Sequence, residues 1–155
     1  MSRDLSLAEI FQLGYYWETK ILLTGVRLEL FTILDGKELS AGEIAHRLHA
    51  DAERLELLMN ALVAMRVLRK EADRFANTSV AQTYLVKTDT QYVGHLLVLQ
   101  DAEWDNWGRL EETIRTGQPP VARHLFETNP ELGANVLTVL DRIGQQSGPD
   151  RKRVV

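Results

Sequence analysis

The sequence predicts a mainly α fold, built on a helix–turn–helix core with a small β-wing and flanking helices. Three observations lead there. Apolar residues recur at helical rather than strand spacing over most of the chain. Two Ser-x-x-Glu capping boxes open helical runs. A lone pair of short strand-like segments follows a helix–turn–helix. With 155 residues, 45% of them hydrophobic and 26% charged, the chain has the composition of a globular domain rather than a disordered one.

Ser6-Leu7-Ala8-Glu9 is the first capping box. Behind it Leu7, Ile10, Phe11, Gly14, Trp17, Ile21 and Leu22 recur at helical spacing, while Leu13, Tyr15, Tyr16 and Leu23 add apolar surface on other sides. A helix apolar on more than one face requires two partners, its own domain and a second surface. Gly25 predicts a break, and residues 26–34 a short second helix ending at Asp35-Gly36. Ser40-Ala41-Gly42-Glu43 is the second capping box, with Ile44, Ala45 and Leu48 facing inward. Asp51 then caps a longer helix whose buried stripe is Leu55, Leu58, Met59, Leu62 and Met65. Residues 67–70 and 74–76 read as strands about a polar turn at Ala72-Asp73. Helix, turn, helix and hairpin in that order make a winged helix.

A short helix starts at Ser79 and reaches Tyr84 and Leu85, and the polar loop at residues 87–90 separates it from a long helix over residues 92–116. Gly117-Gln118-Pro119-Pro120 ends that helix, because glycine suits the exit and proline cannot continue it. Asn129-Pro130 opens another, with asparagine as cap and proline at the first helical position. Its stripe is Leu132, Val136, Val139 and Leu140. From Gly144 the composition shifts to that of a linker. The predicted division is therefore a helical domain over residues 1–143 and, over 144–155, a linker with the start of a further domain.

A net charge of −4 argues against a general nucleic-acid binder, which needs a basic surface. Without cysteine the chain has no disulfide, thiolate metal site or cysteine nucleophile. Arg3, Asp4 and Glu9 interrupt any signal-peptide core, and no stretch approaches the roughly 18 apolar residues of a membrane span. The expectation is a cytoplasmic protein with neither nucleic-acid nor membrane partners.

Candidate chemistry is sparse. The second helix of the winged motif carries Asp51, Glu53 and Glu56 against Arg54 and Arg66, a poor match to phosphates. Glu43, His46 and His49 share a helix but lack the i, i+4 pairing of helical zinc sites and lie opposite its apolar face, so no metal site is expected. No GxGxxG or GxxxxGK[ST] run occurs, and no catalytic residue is assigned. Trp104 and Trp107 suit a core or subunit interface, or an aromatic wall for a flat small molecule.

The run from Tyr16-Trp17-Glu18-Thr19-Lys20 through Leu28-Glu29-Leu30-Phe31-Thr32-Ile33-Leu34 resembles the opening of S-adenosylmethionine-dependent small-molecule O-methyltransferases. These include the plant caffeic acid, hydroxyindole and bacterial polyketide-tailoring types. The likeness continues through Ser40-Ala41-Gly42-Glu43-Ile44-Ala45, residues 57–65, Trp107-Gly108-Arg109-Leu110, Gly117, and Phe126 ahead of Asn129-Pro130-Glu131-Leu132, covering roughly residues 7–143.

The resemblance implies a winged-helix-like dimerisation domain that does not bind DNA, with two subunits intertwined through their first helices. It places Ile10, Phe11, Gly14, Trp17, Ile21 and Leu22 in the dimer interface. Leu132, Val136 and Leu140 match positions facing the acceptor substrate, and Trp17 reaches toward the partner's pocket; Trp104, Trp107 and Phe126 complete the expected pocket set. In the family a Rossmann-like domain carries the cofactor on an Asp-x-Gly-x-Gly loop, together with the catalytic base. Arg151-Lys152-Arg153-Val154-Val155 resembles the start of its first strand, but no such loop lies within the 155 residues. The expected function is thus the dimerisation and pocket-gating portion of an O-methyltransferase, binding no cofactor and catalysing nothing alone. Two other readings stay open on sequence: a winged-helix transcriptional regulator, and a non-catalytic helper pairing with a full-length methyltransferase.

Overall fold

The computed structural model describes residues 4–118 and 129–146. Helix α1 (Leu7–Leu13) and α2 (Tyr16–Arg27) are followed by the short α3 (Leu30–Ile33). Then come β1 (Leu39–Ser40), α4 (Ala41–Leu48), α5 (Ala52–Ala64), β2 (Leu68–Glu71), β3 (Arg74–Asn77) and α6 (Ser79–Leu85). Helices α7 (Gly94–Ala102), α8 (Trp104–Gly108), α9 (Leu110–Thr116) and α10 (Pro130–Gln146) complete the described chain. The mainly α, winged-helix-like prediction holds.

Local chemistry sets the helix starts. Ser40 Oγ accepts from the Glu43 amide at 3.2 Å while a Glu43 carboxylate oxygen accepts from the Ser40 amide at 2.7 Å, closing the capping box. The Arg54 amide donates to Asp51 Oδ1 at 2.8 Å, and the Leu132 amide donates to Asn129 Oδ1 at 3.0 Å. The wing is an antiparallel β2–β3 hairpin in which Glu71 pairs with Arg74, and Ala72 takes the left-handed conformation at the turn (φ 52°). Strand β1, unpredicted from sequence, adds to the other edge of β3 through Leu39 opposite Phe75, so the order is β1-β3-β2.

The core lies where α2, α4 and α5 meet the sheet. Leu30, Phe31, Ile44, Met59, Leu62, Leu68 and Phe75 are sealed from solvent there. Burying one such side chain contributes about 1.5–3 kcal/mol.

Four sequence expectations need correction. The first helix is not continuous: α1 ends at Gly14, and α2 begins at Tyr16. Glycine costs a helix interior about 1 kcal/mol, and no residue of α1 is buried to offset that. Gly25 does not break the chain but sits buried within α2, where a Cβ would lie 3.2 Å from Leu62 and 3.3 Å from Phe31. Its role is close helix packing. The break falls instead at Glu29, in the left-handed region (φ 53°), which turns Leu30 and Phe31 into the core. Residues 92–116 form three helices, with turns at Glu103 and Arg109, rather than one. Finally, the composition from Gly144 predicts a linker, but helix α10 continues through Gly144 to Gln146.

Candidate dimerisation face and an interhelical groove

Helix α1 and the first turn of α2 present apolar side chains that the described chain leaves uncovered. Ile10 and Phe11 are more than half exposed, Leu13 is 78% exposed, and Tyr16 and Trp17 extend the surface. Trp17 gathers the aromatic part: its ring lies 4.7 Å from Tyr15 and 5.5 Å, edge-on, from Tyr16. Gly14 is also exposed, whereas Ile21 and Leu22 are half-buried and pack against the core. The six expected interface residues therefore divide into four outward-facing ones and two that also hold the fold.

Helix α2 is moored by Asp101 of α7. This carboxylate is 6% exposed and accepts from Lys20 at 2.5 Å and from Arg27 at 2.7 Å. The hydrogen bond from Lys20, opposed by burial and reinforced by Arg27, holds its carboxyl below the ordinary 3.8. Lys20 also lies 4.6 Å above the Trp104 ring, a cation–π contact. A 260 Å³ hollow beside this cluster is lined by Lys20, Thr24, Arg27, Leu28 and Asp101. Sequence reading missed Asp101. Its signal was a lone acid late in an apolar helix, facing two cations spaced seven apart on α2.

The wing's cations are engaged within the chain. Arg69 pairs with Glu38 at 2.7 Å, Lys70 with Glu56 at 2.9 Å, and Arg74 with Glu43 at 3.3 Å. Lys70 also donates to Asn60 of α5 at 2.9 Å. Such groups would have to give up these partners to meet phosphates.

A second feature lies between α7 and α10. Hollows of 240 and 160 Å³ share Lys87, His95 and Asn135 as walls. Tyr92 lies edge-on to His95 with ring centroids 4.9 Å apart. Burial depresses the His95 pKa, with Lys87 adding to the effect, and burial raises that of the Tyr92 phenol. Lys87 is held by Glu29 at 2.9 Å, and the hydrogen bond and charge of that pair raise its pKa. Arg142 donates to the carbonyls of Thr90 and Tyr92.

Leu132 lines this groove, while Val136 is buried on α10 and Leu140 is exposed. Trp104 is half-buried over Lys20, Trp107 is 70% exposed on α8, and Phe126 lies outside the described residues. Trp104 and the α10 residues are thus on different elements, one turned to α2 and the others on a helix packed against α7. Tyr92, His95 and Asn135 were not singled out as site residues from sequence, since no spacing rule joins residues 40 positions apart.

The chain matches the O-methyltransferase dimerisation domain family over residues 11–87. It is 33% identical over 134 residues to the tetracenomycin polyketide synthesis 8-O-methyl transferase TcmO of Streptomyces glaucescens, covering 83% of this chain and 40% of that protein. It is 32% identical over 117 residues to a 3-hydroxy-5-methyl-1-naphthoate 3-O-methyltransferase of Streptomyces sahachiroi, covering 72% of this chain and 34% of the relative. The solved structure of an O-methyltransferase family protein from Burkholderia thailandensis superposes with a TM-score of 0.77 at 26% identity, over 93% of this chain and 44% of that one. The chain spans less than half the length of these relatives. Through the winged-helix core and the helices that enter it, this chain belongs to the O-methyltransferase dimerisation domain family.

Proposed function

We propose that this chain provides the dimerisation and pocket-gating portion of an S-adenosylmethionine-dependent O-methyltransferase acting on a hydroxylated aromatic molecule. The observation that carries the reading is the uncovered apolar face of α1 and the first turn of α2, on a helix whose other end is locked into a family dimerisation domain. A second copy of the chain covers that face, and Trp17, at its centre, closes over the partner's acceptor pocket. The relatives' acceptors supply the substrate class, since one is named for a polyketide and another for a hydroxynaphthoate.

The described residues do not fit the methyl donor. Their sheet is three-stranded and antiparallel, and no glycine-rich turn leads from a strand into a helix. In this reading methyl transfer belongs to a Rossmann-type domain of the enzyme, and the present residues gather subunits and shape the pocket. The wing's internal ion pairs count against the DNA-binding alternative.

Sedimentation equilibrium tests the proposal. A species of twice the 17.6 kDa chain mass is expected. A monomer at all concentrations overturns the dimerisation role, and tight S-adenosylmethionine binding in calorimetry overturns the division of labour.

A further inference from the structure

Lys20 stands one helical turn beyond the aromatic residues that begin α2. It is the i+4 neighbour of Tyr16 and the i+3 neighbour of Trp17, so the three share a side of the helix. An ammonium there lies at the margin of the uncovered apolar face, and covering that face takes water away from it. A charge that loses water without gaining a partner opposes association.

The fold supplies that partner from another element. Asp101 of α7, 6% exposed, accepts from Lys20 Nζ at 2.5 Å, and the Trp104 ring of α8 lies 4.6 Å from the same ammonium. Lys20 is therefore held between a carboxylate and an aromatic face within a single chain. Asp101 also pairs with Arg27, but the two cations differ in what they need. Arg27 is the last residue of α2 and stays 66% exposed, where water and the negative end of the helix dipole already favour its charge. Lys20 lies inside the helix, next to Trp17, and depends on the carboxylate once solvent is excluded.

We propose that Asp101 is a positioning residue for subunit association, which neutralises and holds Lys20 so that a second copy of the chain can cover the α1–α2 face. The inference rests on the proposed dimer and deepens it. Asp101 is nearly sealed within its own chain and lies outside the apolar face, so it acts through Lys20 rather than by touching the partner.

The test compares dimer dissociation constants from sedimentation equilibrium with urea unfolding of the same samples. Asp101→Asn should raise the dissociation constant about tenfold, equivalent to about 1.4 kcal/mol. The decisive variant is Asp101→Asn combined with Lys20→Met, because methionine keeps an unbranched apolar stem and removes the charge. It should recover most of the lost association while remaining less stable than wild type, since the ion pair is still absent. A residue that merely braced α2 would give a double variant that associates as poorly as Asp101→Asn. Lys20→Met alone should associate at least as tightly as wild type, and this variant decides the matter if Asp101→Asn does not fold. A wild-type dimer whose dissociation constant ignores folded Asp101→Asn, a double variant without recovery, or looser association of Lys20→Met overturns the role of Asp101 alone. A wild-type chain that is monomeric at all concentrations overturns the dimerisation role and this inference with it.

Discussion

The two ends of α2 meet opposite environments. Tyr16 and Trp17 in its first turn are exposed, whereas Leu23, Gly25 and Val26 near its end are buried against α3 and α5. One helix thus has a region packed within the core and a region whose apolar surface the other described residues leave uncovered. The contrast teaches that apolar periodicity reports a need for cover, while the source of that cover, intramolecular or not, is decided elsewhere. Asp101 spans the two regions, tying α2 to α7 through Lys20 in its first half and Arg27 at its last residue.

Substitutions at the two ends should therefore separate folding from association. The largest effect belongs to the packed region. Phe75→Ala, at a fully buried strand position, should cost about 3–5 kcal/mol in denaturant unfolding because it leaves a cavity between sheet and helices. A loss under 1 kcal/mol would mean that the core is loosely packed.

Next comes the uncovered region. Ile10→Asp should abolish the proposed dimer in light scattering by placing an unpaired charge in the proposed interface, while monomer unfolding changes little because Ile10 is exposed. Ile21→Asp, by contrast, should lower both association and stability, since Ile21 packs against the core. Identical behaviour of the two variants would erase the proposed boundary along α2.

The junction should respond more modestly. Asp101→Asn should cost about 1–2 kcal/mol at pH 7, a figure kept low because Lys20 and Arg27 remain 42% and 66% exposed. The pH dependence carries a definite sign. The folded carboxyl titrates below its ordinary 3.8, so its stabilisation is complete above that value and is lost as pH falls through the folded pKa. The gap between wild type and Asp101→Asn should therefore close below about pH 4, as read by urea unfolding at several pH values. A gap that persists in acid would show that the carboxylate's charge is not what holds α2.

The smallest effect is expected at a helix start. Ser40→Ala should destabilise by about 1 kcal/mol through loss of the α4 cap, with no change in association. A change in dimer mass would link the wing to the interface.

Much of the winged core was legible because its signals are local. The Ser40–Glu43 box, the Asp51 cap, the α5 stripe and the hairpin around Ala72-Asp73 each occupy a few consecutive residues, and all form as the spacing predicts. The helices around that core were read less well. Residues 92–116 carry an unbroken helical pattern yet turn at Glu103 and Arg109, and strand β1 is two residues whose only reason to be extended is β3 beside it. Of the anticipated site residues, the outward face of α1 was visible as excess apolar surface. The groove was not, because Tyr92 and His95 meet Asn135 only when α7 and α10 pack.

By itself the sequence determined the mainly α class, the order of the winged helix, the caps that start its helices and the family to which the chain belongs. These follow from hydrogen bonds and apolar spacing within one or two turns of chain. Only the tertiary structure decided that Gly25 is a contact rather than a break, that Glu29 turns the chain, and that Asp101 holds two distant cations. Each depends on what a residue meets across the fold, and a glycine looks the same in sequence whether it frees the backbone or admits a neighbour.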